Sequence, residues 1–323
     1  MTAASPITDP SHAPQSEPWP ELPLTAWVNT CTTLRLWMQI VGKIRLTQSP
    51  WLNHSWHTSL YVTARGLTTS PIPYECRVFQ IDFDFIAHQL RVETTDGGVE
   101  IFPLEPESVA EFYDRLMKAL GRLGLRVRIF AVPNEIDEPI PFARDEAHSA
   151  YDAEYANRFW RILVQADRVF KKFRAPFLGK CSPVQFFWGS GDLAVTRFSG
   201  RAAPRHPGGA PHLPDWVVRD AYSHEVSSAG FWPGGGAIPY AAFYSYAYPE
   251  PAGFAKAVLK PPEAFYSEDL REFILPYDAV RKSESPDATL LAFLNSAYDA
   301  AANLGRWKRK ELERTRDPRS SRR

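Results

Sequence analysis

The chain has 323 residues, 44% hydrophobic and 13% aromatic, with 37 Lys/Arg against 37 Asp/Glu. That length suffices for one large domain or two ordinary ones with a sizeable core. A net charge of zero supplies no global field for nucleic acid or an anionic membrane, and no run approaches the 18 apolar residues of a membrane span.

The first twenty residues, "MTAASPITDPSHAPQSEPWP", lack the cationic start and apolar run of a secretory signal. Their Pro, Ser and Ala content predicts a disordered leader over residues 1–18. A helix follows from about Thr25 to Gln48, with Leu34, Trp37, Ile40, Val41 and Ile44 at helical spacing and Pro50 as its stop. "TSLYVTA" and "RVFQIDFDFI" read as strands. In the second, Phe79, Ile81, Phe83 and Phe85 alternate with Gln80, Asp82 and Asp84. "QLRVETT", the turn Asp96-Gly97-Gly98 and "VEIFPL" extend an antiparallel meander, closed by the helix "SVAEFYDRLMKALGRLG" with Gly124 at its C-terminal cap.

This first α+β unit spans 19–132, and a Pro- and acid-rich linker covers 133–151. A second unit, 152–305, opens on a helix from about Asp152, a plausible N-cap, to Arg174, stopped by Pro176. Its strands are "VQFFWGS", "LAVTRFS", "EVSSAGFW", "AAFYSYAY" and "EFILPY", and its last helix, "TLLAFLNSAYDAAANLG", ends at Gly305. An insertion over 200–224, "GRAAPRHPGGAPHLPDWVVRDAYSH", interrupts it. Insertions of that length inside a compact unit are commonly functional or disordered. The tail, 306–323, holds nine Lys/Arg against three Asp/Glu and reads as a solvated, frayed end.

The chain matches itself without gaps at an offset of 126, the copies starting at Leu36 and Ile162. Gln39 falls on Gln165, Pro50 on Pro176, Leu52 on Leu178 and Leu67 on Leu193. With the shared order of elements this predicts an internal duplication: two tandem pseudo-symmetric α-β(4–5)-α units, antiparallel sheets covered by helices. Side-by-side and face-to-face sheets both stay open.

"LWMQIVGKIRL", "NHSWHTSLYVTARGLTTSPIPY", "FQIDFDFIAHQL", "NRFWRILVQADRVFKKFRAPFLGKCSP", "FFWGSGDLAVTRFSGR" and "LPDWVVRDAYSHEVSSAGFWPGGG" resemble a bacterial family of uncharacterised proteins, domain-of-unknown-function family 5996. The resemblance covers most of residues 19–305. It implies that the whole chain is the family domain and that its source is bacterial, and it brings no activity, cofactor or catalytic residue.

The richest chemistry lies in "NHSWH" and at the end of the insertion. His54, His57 and His224 could ligate a divalent metal, the cofactor to be considered. His57, Arg65 and Glu225 could instead do metal-free acid–base work. His54 and His57 share a face only on a helical turn, whereas His224 and Glu225 oppose one another on a strand. All of these groups could equally be structural, hydrogen-bonding to buried backbone.

His206 and His212 flank a Gly/Pro loop, either a lid or a plain surface loop. "FWPGGG" lacks the Lys-Ser/Thr of a phosphate loop and reads as a wide turn. Cys181 lies beside Lys180, which could lower its pKa. Asp82 and Asp84 are an acid pair or a solvated sheet face, and Arg65 and Arg197 could bind an anion or pair instead with Asp82, Asp84 or Glu225. Trp56, Trp188, Phe231, Trp232, Tyr244 and Tyr246 are pocket-lining or core. "RVFKKFR" is a solvated helix face, so no nucleic-acid partner is predicted.

Cys31, Cys76 and Cys181 are odd in number and far apart, as expected for reduced thiols of a cytoplasmic protein. Two functions remain. One is a small-molecule-binding protein or enzyme with a site between the units, using His54/His57 and His224/Glu225. The other is a non-catalytic interaction or scaffold protein. The oligomeric state is open.

Overall fold

The computed structural model describes residues 17–314. Nearly all of the expected leader, and the tail from 315 onward, lie outside the described residues. Helix α1 (Leu24–Gln48) matches its expected span and is buried on several sides. Trp37 is fully buried, stacked on Phe112 with ring centroids 4.7 Å apart. Six strands follow: β1 (Tyr61–Val62), β2 (Gly66–Thr68), β3 (Ile72–Tyr74), β4 (Arg77–Asp84), β5 (Gln89–Thr94) and β6 (Val99–Pro103). They form an antiparallel sheet in the order β1-β2-β4-β5-β6, with β3 also pairing β4. The period-two pattern of β4 holds through Phe83, with Phe79, Ile81 and Phe83 buried and Gln80 and Asp82 not, but Asp84, expected on the polar side, is buried against Arg65.

Helix α2 (Val109–Arg122) covers that sheet. It starts on a reciprocal capping box between Ser108 and Glu111, and Gly124, at φ +72°, turns the chain out of it. Helix α3 (Ala153–Arg174) opens the second half, with the Asp152 carboxylate accepting from the Tyr155 N–H as its N-cap.

Then come β7 (Gln185–Phe187), β8 (Asp192–Ala202), the short helix α4 (Asp215–Ala221) within the insertion, β9 (His224–Trp232), β10 (Ala242–Tyr248), β11 (Phe265–Ser267) and β12 (Glu272–Pro276). Helices α5 (Tyr277–Arg281), α6 (Pro286–Leu304) and α7 (Arg309–Leu312) finish the described chain. The second sheet, also antiparallel throughout, has the order β11-β12-β10-β9-β8-β7. The fold is therefore α+β, with two antiparallel six-stranded sheets. Gly305 ends α6 at φ −73°, and the left-handed turn falls on Arg306 instead.

The sheets lie side by side. Leu60 and Phe186 exchange both backbone hydrogen bonds, at 2.9 and 2.8 Å, joining the edge of one sheet to the edge of the other. Beside them Ser59 Oγ donates to Gln185 Oε1 at 3.0 Å. Both pairs are separated by 126 residues. One hydrophobic core runs through both halves, and even Trp19 reaches across to Phe243 and Tyr277 of the second. The start of the tail docks too: Leu178 N–H donates to Leu312 O and Arg314 N–H to Pro176 O. Among the described residues no helix is long and apolar enough to cross a membrane.

Trp188 is the clamp of this seam. Its indole lies against α1 at Gly42, where an added Cβ would fall inside the ring, and its Nε1–H donates to Thr58 O at 2.8 Å. Glycine in a helix interior ordinarily costs about 1 kcal/mol relative to alanine. Here it makes room for a buried tryptophan. Gly42→Ala is therefore expected to destabilise the protein by about 1–3 kcal/mol, the usual cost of overpacking, read as a lower urea midpoint with an unchanged m-value. A higher midpoint would show that Trp188 does not need the space.

Candidate functional site

Strand alternation gives the second sheet two unlike faces. Phe231, Phe243, Phe273 and Leu275 point into the core beneath the helices. The outer face carries Asp192, Thr196 and Phe198 of β8, His224 and Ser228 of β9, Tyr244, Tyr246 and Tyr248 of β10 and Glu272 of β12. Much of it is half-buried rather than open to solvent, because the insertion folds over it. Tyr222, just past α4, hydrogen-bonds Tyr246 hydroxyl to hydroxyl at 2.8 Å. The His206 ring stacks on Tyr222 and packs beside Tyr248 at 4.7 and 4.9 Å, and Tyr248 OH donates to Pro204 O. The linker joins this cover through Glu135 N–H to Pro211 O and through His212 Nε2 to Asp137 O. The His206–His212 loop is thus fastened at both ends.

Acidic groups gather at one end of the face. Asp192 is buried and accepts from Ser190 Oγ and Tyr244 OH. Burial raises the pKa of its carboxyl. Burial, reinforced by the Asp192 charge, pushes Glu272 up to about 7. Burial also raises the phenols of Tyr244 and Tyr246 well above the usual range, so they stay hydrogen-bond donors at any physiological pH.

At the other end "NHSWH" meets the insertion. Asn53–Ser55 form a single 3-10 turn in which His54 (φ 59°) and Ser55 (φ 57°) are left-handed, an expensive conformation for non-glycine residues. His54 is fixed by three contacts. Its N–H donates to Asp220 Oδ2 at 2.9 Å, its Nδ1 lies 3.0 Å from Ala221 O, and its Nε2 lies 2.5 Å from Lys180 Nζ. A carbonyl only accepts, so Nδ1 carries the proton and the Nε2 lone pair faces the lysine. The imidazole packs on Phe198 at 4.6 Å, with His224 6.0 Å away, edge-on. Burial lowers the pKa of both His54 and Lys180.

The other expected site residues are distributed as follows. His57 Nδ1 accepts from the Leu52 N–H at 3.1 Å, which puts its proton on Nε2, buried without a partner. Trp51 packs on His57 and bridges to Trp216 of α4. His224 lies on the outer face, its Nδ1 beside Ser223 Oγ. Glu225 faces the other way, where its carboxylate accepts from Arg201 and Ser199. Arg65 is bound to Asp84 at 2.6 Å in the first sheet, and that same carboxylate accepts the Ile86 and Ala87 N–H groups. Among the described residues no three His, Cys, Asp or Glu groups converge as a metal site would require.

Arg197 is buried among Phe173, Tyr298 and Phe177 and donates to Phe173 O. The Cys181 thiol is raised by burial rather than lowered, since the Lys180 ammonium turns to His54. Of the six aromatics singled out, Trp56, Trp232, Tyr244 and Tyr246 are half-buried, whereas Trp188 and Phe231 are core. A shallow concavity of about 270 Å³ also lies between the halves, lined by Tyr61, Val62, Asp167, Lys171, Arg174, Pro183 and Val184. Its charges are already committed, Lys171 to Asp167 and Arg174 to Ser182 O.

Sequence reasoning missed Lys180, Asp220, Asp192 and Glu272. For Lys180 a signal existed, because the 126-residue offset places it on His54. For the acids it did not, because a single carboxylate, at the start of a strand for Asp192 and Glu272 or inside α4 for Asp220, has no motif.

Neither curated proteins nor solved structures match the chain. The model of a family of unknown function, DUF5996, matches residues 19–314, and the chain belongs to that family.

Proposed function

We propose that the protein binds and acts on a small molecule at the outer face of its second sheet, in the space bounded by the insertion and the NHSWH loop. The observation that carries this reading is the meeting of His54 with Asp220, Ala221 and Lys180. These contacts from the insertion and from Lys180 hold the imidazole in one place, as an orienting group holds a base in a reactive site. Along the same covered face lie Tyr222, Tyr244 and Tyr246, with the carboxyl groups of Asp192 and Glu272 toward its other end, polar groups of the kind that orient a ligand.

Metal-free chemistry is the better fit to these hydrogen bonds. Both ring nitrogens of His54 and the lone pair of His57 are already engaged, and a ligating imidazole must offer a free lone pair. The scaffold alternative draws on Arg65 and Glu225, whose charges are paired locally. An internal duplication is supported by Leu60–Phe186, Ser59–Gln185 and His54–Lys180, pairs separated by 126 residues that touch one another. It is supported too by the parallel strand paths β1-β2-β4-β5-β6 and β7-β8-β9-β10-β12.

Screening polar metabolite-sized compounds by thermal unfolding tests the site. A ligand of this face at 100 times its Kd adds about 2.7 kcal/mol. It is expected to raise the melting temperature of the wild type but not of Tyr222→Ala/Tyr246→Ala. Equal shifts in both would place binding elsewhere, and no response to any compound class would favour the scaffold. Elemental analysis of the purified protein is expected to find substoichiometric transition metal. One equivalent per chain would overturn the metal-free reading.

Glu272 gives a pH signature. Its folded-state pKa of about 7 lies above the ordinary 4.5, so between those values the folded state holds the extra proton. By linkage its contribution to stability falls as pH rises from about 4.5 to about 7 and is level above that. Glu272→Gln removes the penalty. The variant is expected to gain stability over wild type progressively across that window, with no gain below it. A gain independent of pH would show that the carboxyl is not desolvated in the fold.

A further inference from the structure

We propose that Lys180 is an amine nucleophile toward aldehydes or ketones, with His54 as its general base. The proposal rests on the small-molecule reading above and gives it a reaction class. An activated nucleophile is recognised by a hydrogen bond to a base that is itself oriented by a third group. Lys180 Nζ lies 2.5 Å from His54 Nε2, and His54 Nδ1–H is held on Ala221 O at 3.0 Å. That second bond fixes the tautomer whose Nε2 can accept a proton. Asp220, holding the His54 backbone N–H, is a positioning residue.

The two lysines of α3 are held in ion pairs, Lys171 with Asp167 and Lys172 with Asp287. Lys180 makes no ion pair among the described residues. Its Nζ is flanked by the rings of Phe198 and Trp56, at 4.9 and 5.4 Å. These rings pack against the side chain without supplying a counter-charge. The residue is exposed, so a carbonyl compound can reach it. Its main chain is anchored, because Lys180 O accepts the Phe198 N–H of β8 at 3.0 Å.

The step balances without a co-reactant. As the free amine, Lys180 adds its lone pair to the carbonyl carbon, forming the N–C bond as the C=O π pair moves to oxygen. His54 Nε2 takes the proton from the new ammonium and passes it to that oxygen, giving the carbinolamine. The C–O bond then breaks with a further proton transferred from Nζ through His54. Water leaves and the imine remains. Nothing is oxidised or reduced.

The test is reductive labelling of the full chain with propanal and sodium cyanoborohydride, followed by peptide mapping. Lys118, exposed and outside this cluster, is the internal reference. Lys180 is expected to label at least about tenfold faster than Lys118, a modest fraction of what a positioned base contributes. In His54→Asn, chosen because asparagine tolerates a left-handed backbone, that advantage is expected to disappear while Lys118 labels as before. Lys180 labelling no faster than Lys118 in the wild type, a comparison that needs no variant, would overturn the proposal. So would an advantage that survives in His54→Asn. A ligand shift that depends on Tyr222 and Tyr246 would survive either failure, so the two readings fail separately.

Discussion

The structure depends on the seam where Leu60 and Phe186 pair and Trp188 lies on Gly42. Edge strands present unpaired N–H and C=O groups, and these must be paired, covered or solvated. Here the edge of each sheet meets the other, so two backbone hydrogen bonds substitute for solvation. The indole of Trp188 then excludes water from the junction. Because that indole also donates to Thr58 O, the packing that joins the halves sets the height of the loop before it. The NHSWH turn is placed by the seam, not by its own propensity.

The left-handed pair His54 and Ser55 follows from this placement. Between Pro50 and the seam residue Leu60 the chain must descend from α1 to the sheet edge, and the tight turn at Asn53–Ser55 accomplishes it. Asp220 compensates by accepting the His54 N–H, and α4 presses Trp216 on Trp51 to hold the turn from outside. The insertion is therefore a structural partner of the first half as much as a cover for the second sheet. Residues far apart in sequence become interdependent, and Asp220 and His54 should couple strongly in any double-mutant cycle.

Much of this was legible in the sequence. The four long helices α1, α2, α3 and α6 follow from apolar spacing with proline stops or glycine ends, α1 within a residue of its expected span, whereas the short α4, α5 and α7 carry too few turns to show a period. Strand β4 was given by strict alternation. The edge-to-edge join was not legible, because a single bridge between two edge strands leaves no periodic trace. Of the candidate site, His54 and His224 were named and do approach one another. Opposite orientations for His224 and Glu225 followed from strand geometry alone. Arg65 was open to an anionic ligand or to Asp82, Asp84 or Glu225, and the structure pairs it with Asp84. Which acid a surface arginine will find is a tertiary fact that spacing does not encode.

The two sheets also show why chemistry should concentrate on one of them. The outer face of the first carries Gln80 bound to Asp82 and Arg91 bound to Glu93, with Val99 and Ile101 exposed beside them. Those charges are solvated and mutually satisfied, and such pairs contribute little to stability or recognition. The outer face of the second is covered, so its hydroxyls, carboxyls and imidazoles sit in a lower dielectric where each hydrogen bond and each proton carries more free energy. What separates them is the cover, residues 200–224, present in one half only. That segment turns a sheet face into an environment able to shift pKa values, and at its end, through Asp220 and Ala221, it takes hold of His54.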